Sequence, residues 1–257
     1  MAGKNMNTIE IHPMKCGEIT PPGGKTYPAY CYLVIHPVHG KILIDTGLSS
    51  DSIKLWPKYL RMLMNPKMGS DSDAVFQLNQ LGISPYDIDL LIITHLDADH
   101  ISALNDFAGK ARMIVMAEHE YFYSCRTVYR FRQPPELWLK YADYIDRRYF
   151  TSVKLGPEGR GFDVFNDRSV ICIHTPGHTE GQIAVMVSNG RTLSSDGLNL
   201  EGKYILFGSD SVFRPMTFDA KGQEKAKEWM DRIRDDDDCS LILNSHDSLS
   251  EKHFQIR

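Results

Sequence analysis

Leu90-Leu91-Ile92-Ile93-Thr94-His95-Leu96-Asp97-Ala98-Asp99-His100 is the stretch that decides the fold. An apolar run of strand type leads straight into two histidines and two aspartates. A buried strand that ends in such a cluster delivers the polar side chains into one small volume, because the chain leaves the sheet and turns at once. The arrangement recurs along the chain. Val170 to His174 precedes Thr175-Pro176-Gly177-His178, Tyr204 to Phe207 precedes Gly208-Ser209-Asp210, and Leu241 to Leu243 precedes Asn244-Ser245-His246. Loops at the ends of strands in one sheet converge in space, and imidazoles and carboxylates converging there are what a hydrolytic divalent-metal site requires. His95, His100, His178 and His246 are therefore read together as metal ligands. His12, His36, His39 and His253 stand alone and are assigned to packing, and His174, inside a strand and four residues before His178, to the core or to a place behind the ligands.

Around these segments the pattern is that of alternating strands and helices. Further strands are expected at Thr8 to His12, Tyr30 to Ile35, Lys41 to Ile44, Arg112 to Met116 and Ile183 to Val187, with hairpin turns at Val38-His39-Gly40 and Asn189-Gly190. Helices are expected over Asp73 to Leu81, stopping at Gly82, and over Gln223 to Ile233. The acidic run Asp235 to Asp238 falls at a helix C-terminus, where the helix dipole does not favour it, and reads as a solvated loop. The segment Tyr121 to Phe150 is rich in aromatic and basic residues. After Pro134 and Pro135 it sets Trp138, Tyr141, Ile145 and Tyr149 at helical spacing, so about 121–150 reads as a lid over a pocket or a surface for dimerisation.

Composition bounds the rest. The chain has 257 residues, 42% hydrophobic and 24% charged, with no internal repeat and no low-complexity linker, which fits a single α/β domain over 1–257. Lys and Arg number 29 against 33 for Asp and Glu, a formal charge of -4, so no polyanion-binding surface and no nucleic-acid partner are expected. No run reaches the roughly 18 to 20 apolar residues of a membrane helix, and the N-terminus lacks the apolar core of a secretory signal. The odd count of five cysteines without a Cys-x-x-Cys pair argues against a disulfide framework, and the expected home is the cytoplasm.

From about Tyr30 to Asp247 the sequence resembles the metallo-β-lactamase superfamily, whose signature is His-x-His-x-Asp-His followed by a separate His, a bridging Asp and a final His. Leu43-Ile44-Asp45-Thr46-Gly47 resembles the early Asp-Thr-Gly segment of that fold. Within the superfamily, the Thr-Pro-Gly-His-Thr-x-Gly segment and the late Ser-His-Asp are most similar to the N-acyl-homoserine lactone lactonases, the quorum-quenching branch. The resemblance implies an αββα four-layer sandwich with two divalent ions, zinc by default and Mn or Fe otherwise. It puts His95 and His178 on the first ion with Asp97, puts Asp99, His100 and His246 on the second, and sets Asp210 between them. Asp45 would orient a metal-bound His from behind. The implied reaction is hydrolytic opening of a lactone or other small-molecule ester by a hydroxide bridging the ions, with Asp99 protonating the leaving oxygen.

Two positions depart from the pattern. Position 97, a His in the usual signature, is Asp: as a ligand it lowers the net positive charge of the site and weakens it as a Lewis acid, and if it hydrogen-bonds nearby instead, the first ion is weakly held and the protein binds one metal. Phe213 stands where the lactonases carry a Tyr that supports the substrate carbonyl, a donor that the lid segment or His119 would have to replace. Other readings of the same frame are a glyoxalase II-type thioesterase, an iron-dependent redox protein, and a non-catalytic sensor.

Overall fold

Apolar alternation sets the layers. The computed structural model describes residues 8–151, 153–189, 203–249 and 253–256. One sheet contains β1 (Ile9–Ile19), β2 (Tyr27–His36), β3 (Gly40–Ile44), β4 (Leu90–Ile93), β5 (Ile114–Ala117) and β6 (Ile145–Arg148) in sequence order. The second is formed by β7 (Gly161–Asp163), β8 (Val170–His174), β9 (Ile183–Ser188), β10 (Tyr204–Ser209) and β11 (Cys239–Asn244), also in order, while β12 (Phe254–Ile256) returns to pair with β1. The first three strands of the larger sheet are antiparallel and β3 to β6 are parallel. Parallel neighbours need long crossovers, and these carry α1 (Lys58–Met64), α2 (Ala74–Gln80), α3 (Ala98–Ile101), α4 (Leu104–Phe107), α5 (Glu118–Ser124) and α6 (Pro135–Trp138). The crossover between the parallel β10 and β11 carries α7 (Ala220–Arg234).

Three apolar layers separate these elements. Ile42, Ile44, Leu90 and Ile92 face Val185, Val187, Ile205 and Phe207 between the two sheets. Leu43, Leu91 and Ile93, the alternate residues, face the helices of the first half, and Ile171, Ile173 and Leu206 meet Trp229, Met230 and Ile233 of α7. β4 is buried on both faces, as a central parallel strand must be. The result is the expected αββα sandwich. Among the described residues, no helix is long and apolar enough to cross a membrane.

The expected strands and the helices expected over Asp73 to Leu81 and Gln223 to Ile233 form, with β1, β2, β10 and β11 longer than read. Asp235 caps the C-terminus of α7, and the rest of the acidic run is the loop that leads to β11. The turn expected at Asn189-Gly190 reaches outside the described residues. The helix expected through Trp138, Tyr141, Ile145 and Tyr149 does not form. The helical turn opened by Pro135 ends at Trp138, a 3-10 segment follows to Tyr144, and Ile145 enters β6 opposite Ile114. Pairing with the open edge of β5 satisfies the backbone there, and this outweighs the local spacing. The aromatic segment is thus partly structural, completing the larger sheet.

Candidate metal centre

The centre lies where strands from both sheets end. β4 passes through Thr94 and His95 to Asp97, which precedes the single turn of α3 carrying Asp99 and His100. Asp210 follows β10, His246 follows β11, and His178 lies beyond β8. Gly177, at φ +148°, approaches α7 so closely that a Cβ would lie 2.4 Å from the backbone N of Gln223, and only glycine fits there. His95, Asp97, Asp99, His100, His178, Asp210 and His246 are all buried. Their ligand atoms form three overlapping groups, each within 4.8 Å: His95, Asp97 and His178; His95, His100 and Asp210; Asp99, His100 and His246.

Hydrogen bonding orients every imidazole the same way. His246 Nδ1 donates to the Pro28 carbonyl at 2.7 Å, and His178 Nδ1 to the Phe213 carbonyl at 3.3 Å. His100 Nδ1 donates to Asp45 Oδ2 at 2.9 Å. The Thr94 hydroxyl gives its one proton to Asp45 Oδ2 at 2.7 Å, so its contact with His95 Nδ1 at 3.0 Å has the imidazole as donor. Asp45 stands behind His100. All four Nε2 lone pairs then face the carboxylates: His246 Nε2 is 3.1 Å from Asp210 Oδ2, His100 Nε2 is 3.4 Å from Asp210 Oδ1, His178 Nε2 is 3.0 Å from Asp97 Oδ2, and His95 Nε2 is 3.6 Å from Asp97 Oδ2. Acceptors that close to acceptors need a cation or a proton between them. His95 Nε2, His100 Nε2 and Asp210 Oδ1 are buried with no hydrogen-bond partner. Neutral imidazole nitrogens and carboxylates, preoriented and unpartnered, are the donor set of a divalent transition ion, so the residues present fit a metal.

Electrostatics separates the two halves. Burial depresses the basicity of His100 and His246, but Asp210 and Asp99 overcome it and raise both, His100 well above the usual imidazole range. Burial likewise opposes ionisation of Asp210, yet His246, His100 and His178 hold its carboxyl well below the carboxylate range. This half draws in positive charge. In the other half, burial and the Arg132 guanidinium push His178 down to about 4.

Arg132 and its neighbours were not found in the sequence reading. Arg132 Nε donates to Asp97 Oδ1 at 2.9 Å, and Gln133 Nε2 donates to the same oxygen at 3.0 Å and to Glu120 Oε1 at 2.8 Å. Glu120, buried, also accepts from the Leu96 N–H, the Thr179 hydroxyl and the Gly181 N–H, tying the His95 and His178 loops together. The signal was Asp97 itself, because a buried carboxylate in place of an imidazole needs a countercharge.

Of the two pocket residues expected, Phe213 is present and His119 is not. Phe213 lines a cleft of about 10 Å³ beside Asp97, Asp99 and Asp210, with its ring 4.1 Å from that of His246 and edge-on to Tyr27. Trp56, Leu60, Met64 and Met216 complete its apolar wall. His119 instead packs against Phe150 and His174, because Glu120, its neighbour on α5, takes the inward position. His12 and His253 pack on each other, and His36 and His39 pair near Phe165, as expected of structural histidines.

Residues 24–195 match the model of the Metallo-beta-lactamase superfamily. An N-acyl homoserine lactonase, AttM, of Agrobacterium fabrum is 26% identical over 170 residues, 62% of this chain and 59% of its own length. The chain therefore spans about three-fifths of the length of the curated relatives it matches. A probable metallo-hydrolase, Rv2300c, of Mycobacterium tuberculosis is 26% identical over 229 residues, 83% of this chain and 66% of the relative. Among solved structures, an N-acyl homoserine lactone hydrolase with N-hexanoyl-L-homoserine at its catalytic metal centre superposes with a TM-score of 0.66 at 19% identity, covering 93% of both chains. AidC, a dizinc quorum-quenching lactonase, superposes with a TM-score of 0.57 at 15% identity, covering 90% of this chain and 80% of the other.

Proposed function

Since the chain belongs to the metallo-β-lactamase superfamily, we propose that it is a metal-dependent hydrolase of ester bonds whose substrate is a lactone carrying an apolar chain, as in the N-acyl homoserine lactonases among its relatives. The observation that carries this reading is the common orientation of His95, His100, His178 and His246, each with Nδ1 held from behind and Nε2 turned toward Asp97, Asp99 and Asp210. Asp99, His100, Asp210 and His246 would hold a divalent ion, zinc being the ion such a set takes most readily. The bound ion supplies Lewis acidity, polarising an ester carbonyl and making water nucleophilic near neutral pH.

The chain's own residues do the rest. Asp45 and Thr94 hold the imidazoles in the ligating tautomer. Phe213, Trp56, Leu60 and Met64 form an apolar wall that leaves room for about one water, so an acyl chain would have to push that wall aside, while the Asp99 carboxyl, in the same cleft, is placed to carry the proton that the departing ring oxygen takes up. With phenylalanine at position 213, no hydroxyl there supports the carbonyl. Protein stripped of metal and reloaded with Zn, Mn or Fe, assayed on acyl-homoserine lactones of different chain length and on a glutathione thioester, tests the reading. Metal-dependent lactone opening is expected to exceed thioester cleavage. Absence of bound metal together with absence of metal-dependent ester opening rejects it.

A further inference from the structure

A cation of the protein's own already stands in the first half of the centre. Arg132 is 3% exposed. Its Nε donates to Asp97 Oδ1, its Nη2 to Asp97 Oδ2 and to His178 Nε2 at 2.5 Å, and its Nη1 to the carbonyls of Met216 and His178. Each of the five guanidinium N–H bonds thus has an acceptor. The Phe218 ring lies 5.5 Å beneath it, and the Arg132 carbonyl accepts from the Ala98 N–H at the start of α3. Met216 adopts φ +64°, left-handed backbone unfavourable for a residue with a Cβ, and its carbonyl is one of those the guanidinium uses.

We propose that the Arg132 guanidinium takes the place of the first metal ion of the two-ion pattern, so that the protein binds one divalent ion per chain, held by Asp99, His100, Asp210 and His246 with His95 beside it. The inference rests on the metal-dependent reading above and fixes its stoichiometry. Asp97 and Arg132 explain each other. A neutral imidazole at position 97 has neither the charge nor the two acceptor oxygens to hold a buried guanidinium, whereas a carboxylate takes it in a two-pronged pair. Charge agrees. Arg132 already supplies a buried positive charge beside Asp97, and a divalent ion seated there would lie against that guanidinium. Seating an ion between Asp97 and His178 would also strip the guanidinium of its partners. In the second half no such cation exists among the described residues, and His100 Nε2 and Asp210 Oδ1 are left bare.

Metal content per chain, measured by mass spectrometry on gel-filtered protein loaded with Zn, tests this without reference to activity. The wild type and Arg132→Lys, which keeps the charge, are expected to hold one equivalent. The double variant Asp97→His with Arg132→Leu, which restores an imidazole and removes the charge, is expected to hold two. Two equivalents in the wild type, or one in a double variant that melts cooperatively, overturn the inference while leaving the hydrolase reading intact. No bound ion in the wild type rejects both. If the double variant does not fold, electron paramagnetic resonance of the Mn-loaded wild type decides: the spectrum of an isolated ion is expected, and an exchange-coupled pair overturns the inference.

Discussion

Asp45 Oδ2 lies 2.9 Å from His100 Nδ1 and also accepts the Thr94 hydroxyl proton, so one buried carboxylate sets the tautomer of His100 directly and that of His95 through Thr94. Asp45 itself has φ +59°, a left-handed conformation that Asp and Asn tolerate better than other residues with a Cβ. Asp45→Asn therefore keeps the backbone but loses the charge and the acceptor facing His100. It is expected to weaken metal affinity by about 10–100-fold, measured by competition with a chromophoric chelator, with little change in thermal stability. Unchanged affinity would remove Asp45 from this role.

Glu120 joins the loops on both sides of the centre through four buried donors. Glu120→Ala leaves those donors unpaired and is expected to cost about 3–5 kcal/mol in urea denaturation. A loss below about 1 kcal/mol would show that solvent or neighbouring groups replace the carboxylate.

Gly177 faces the backbone of α7, where an added Cβ would meet Gln223 N at 2.4 Å and Gln223 Cα at 2.5 Å. Neither the helix backbone nor the positive φ yields cheaply. Gly177→Ala is expected to destabilise the fold by about 2–4 kcal/mol. It is also expected to lower metal affinity, because His178 is the next residue. A variant as stable as the wild type would contradict the packing described.

His174 carries a pH dependence of stability. Burial, with His119 and Arg160 nearby, lowers its pKa to about 4, against 6.5 for the ordinary imidazole. The unfolded chain therefore takes up the proton first as pH falls below about 6.5, and this part of the stability is lost progressively down to about pH 4. The difference corresponds to about 3 kcal/mol. In His174→Gln this acid-labile share is removed, so the stability gap between variant and wild type is expected to narrow by about that amount from pH 7 to pH 4. A gap independent of pH would show that His174 titrates normally.

The positions of the ligands were legible because each follows a run of apolar residues that can only be a buried strand. Leu90 to Ile93 and Val170 to His174 leave little else to read. Arg132 was not legible. It lies 35 residues from Asp97, in a segment whose aromatic and basic composition suits a surface lid, and only the folded chain turns its guanidinium inward. His119 reads as a pocket donor while Glu120 takes the inward position, for a related reason: adjacent positions on a short helix point to different sides and the sequence does not say which faces in. Ile145 fitted a helical period and went to β6, because an open sheet edge offered its backbone more than a helix could.

Anomalous diffraction at the zinc edge from crystals of the zinc-loaded protein tests the central claim most directly. The account predicts a peak at about 2.0–2.2 Å from His100 Nε2, His246 Nε2 and the carboxylates of Asp99 and Asp210. No peak among these residues in crystals whose solution contained the metal would contradict it.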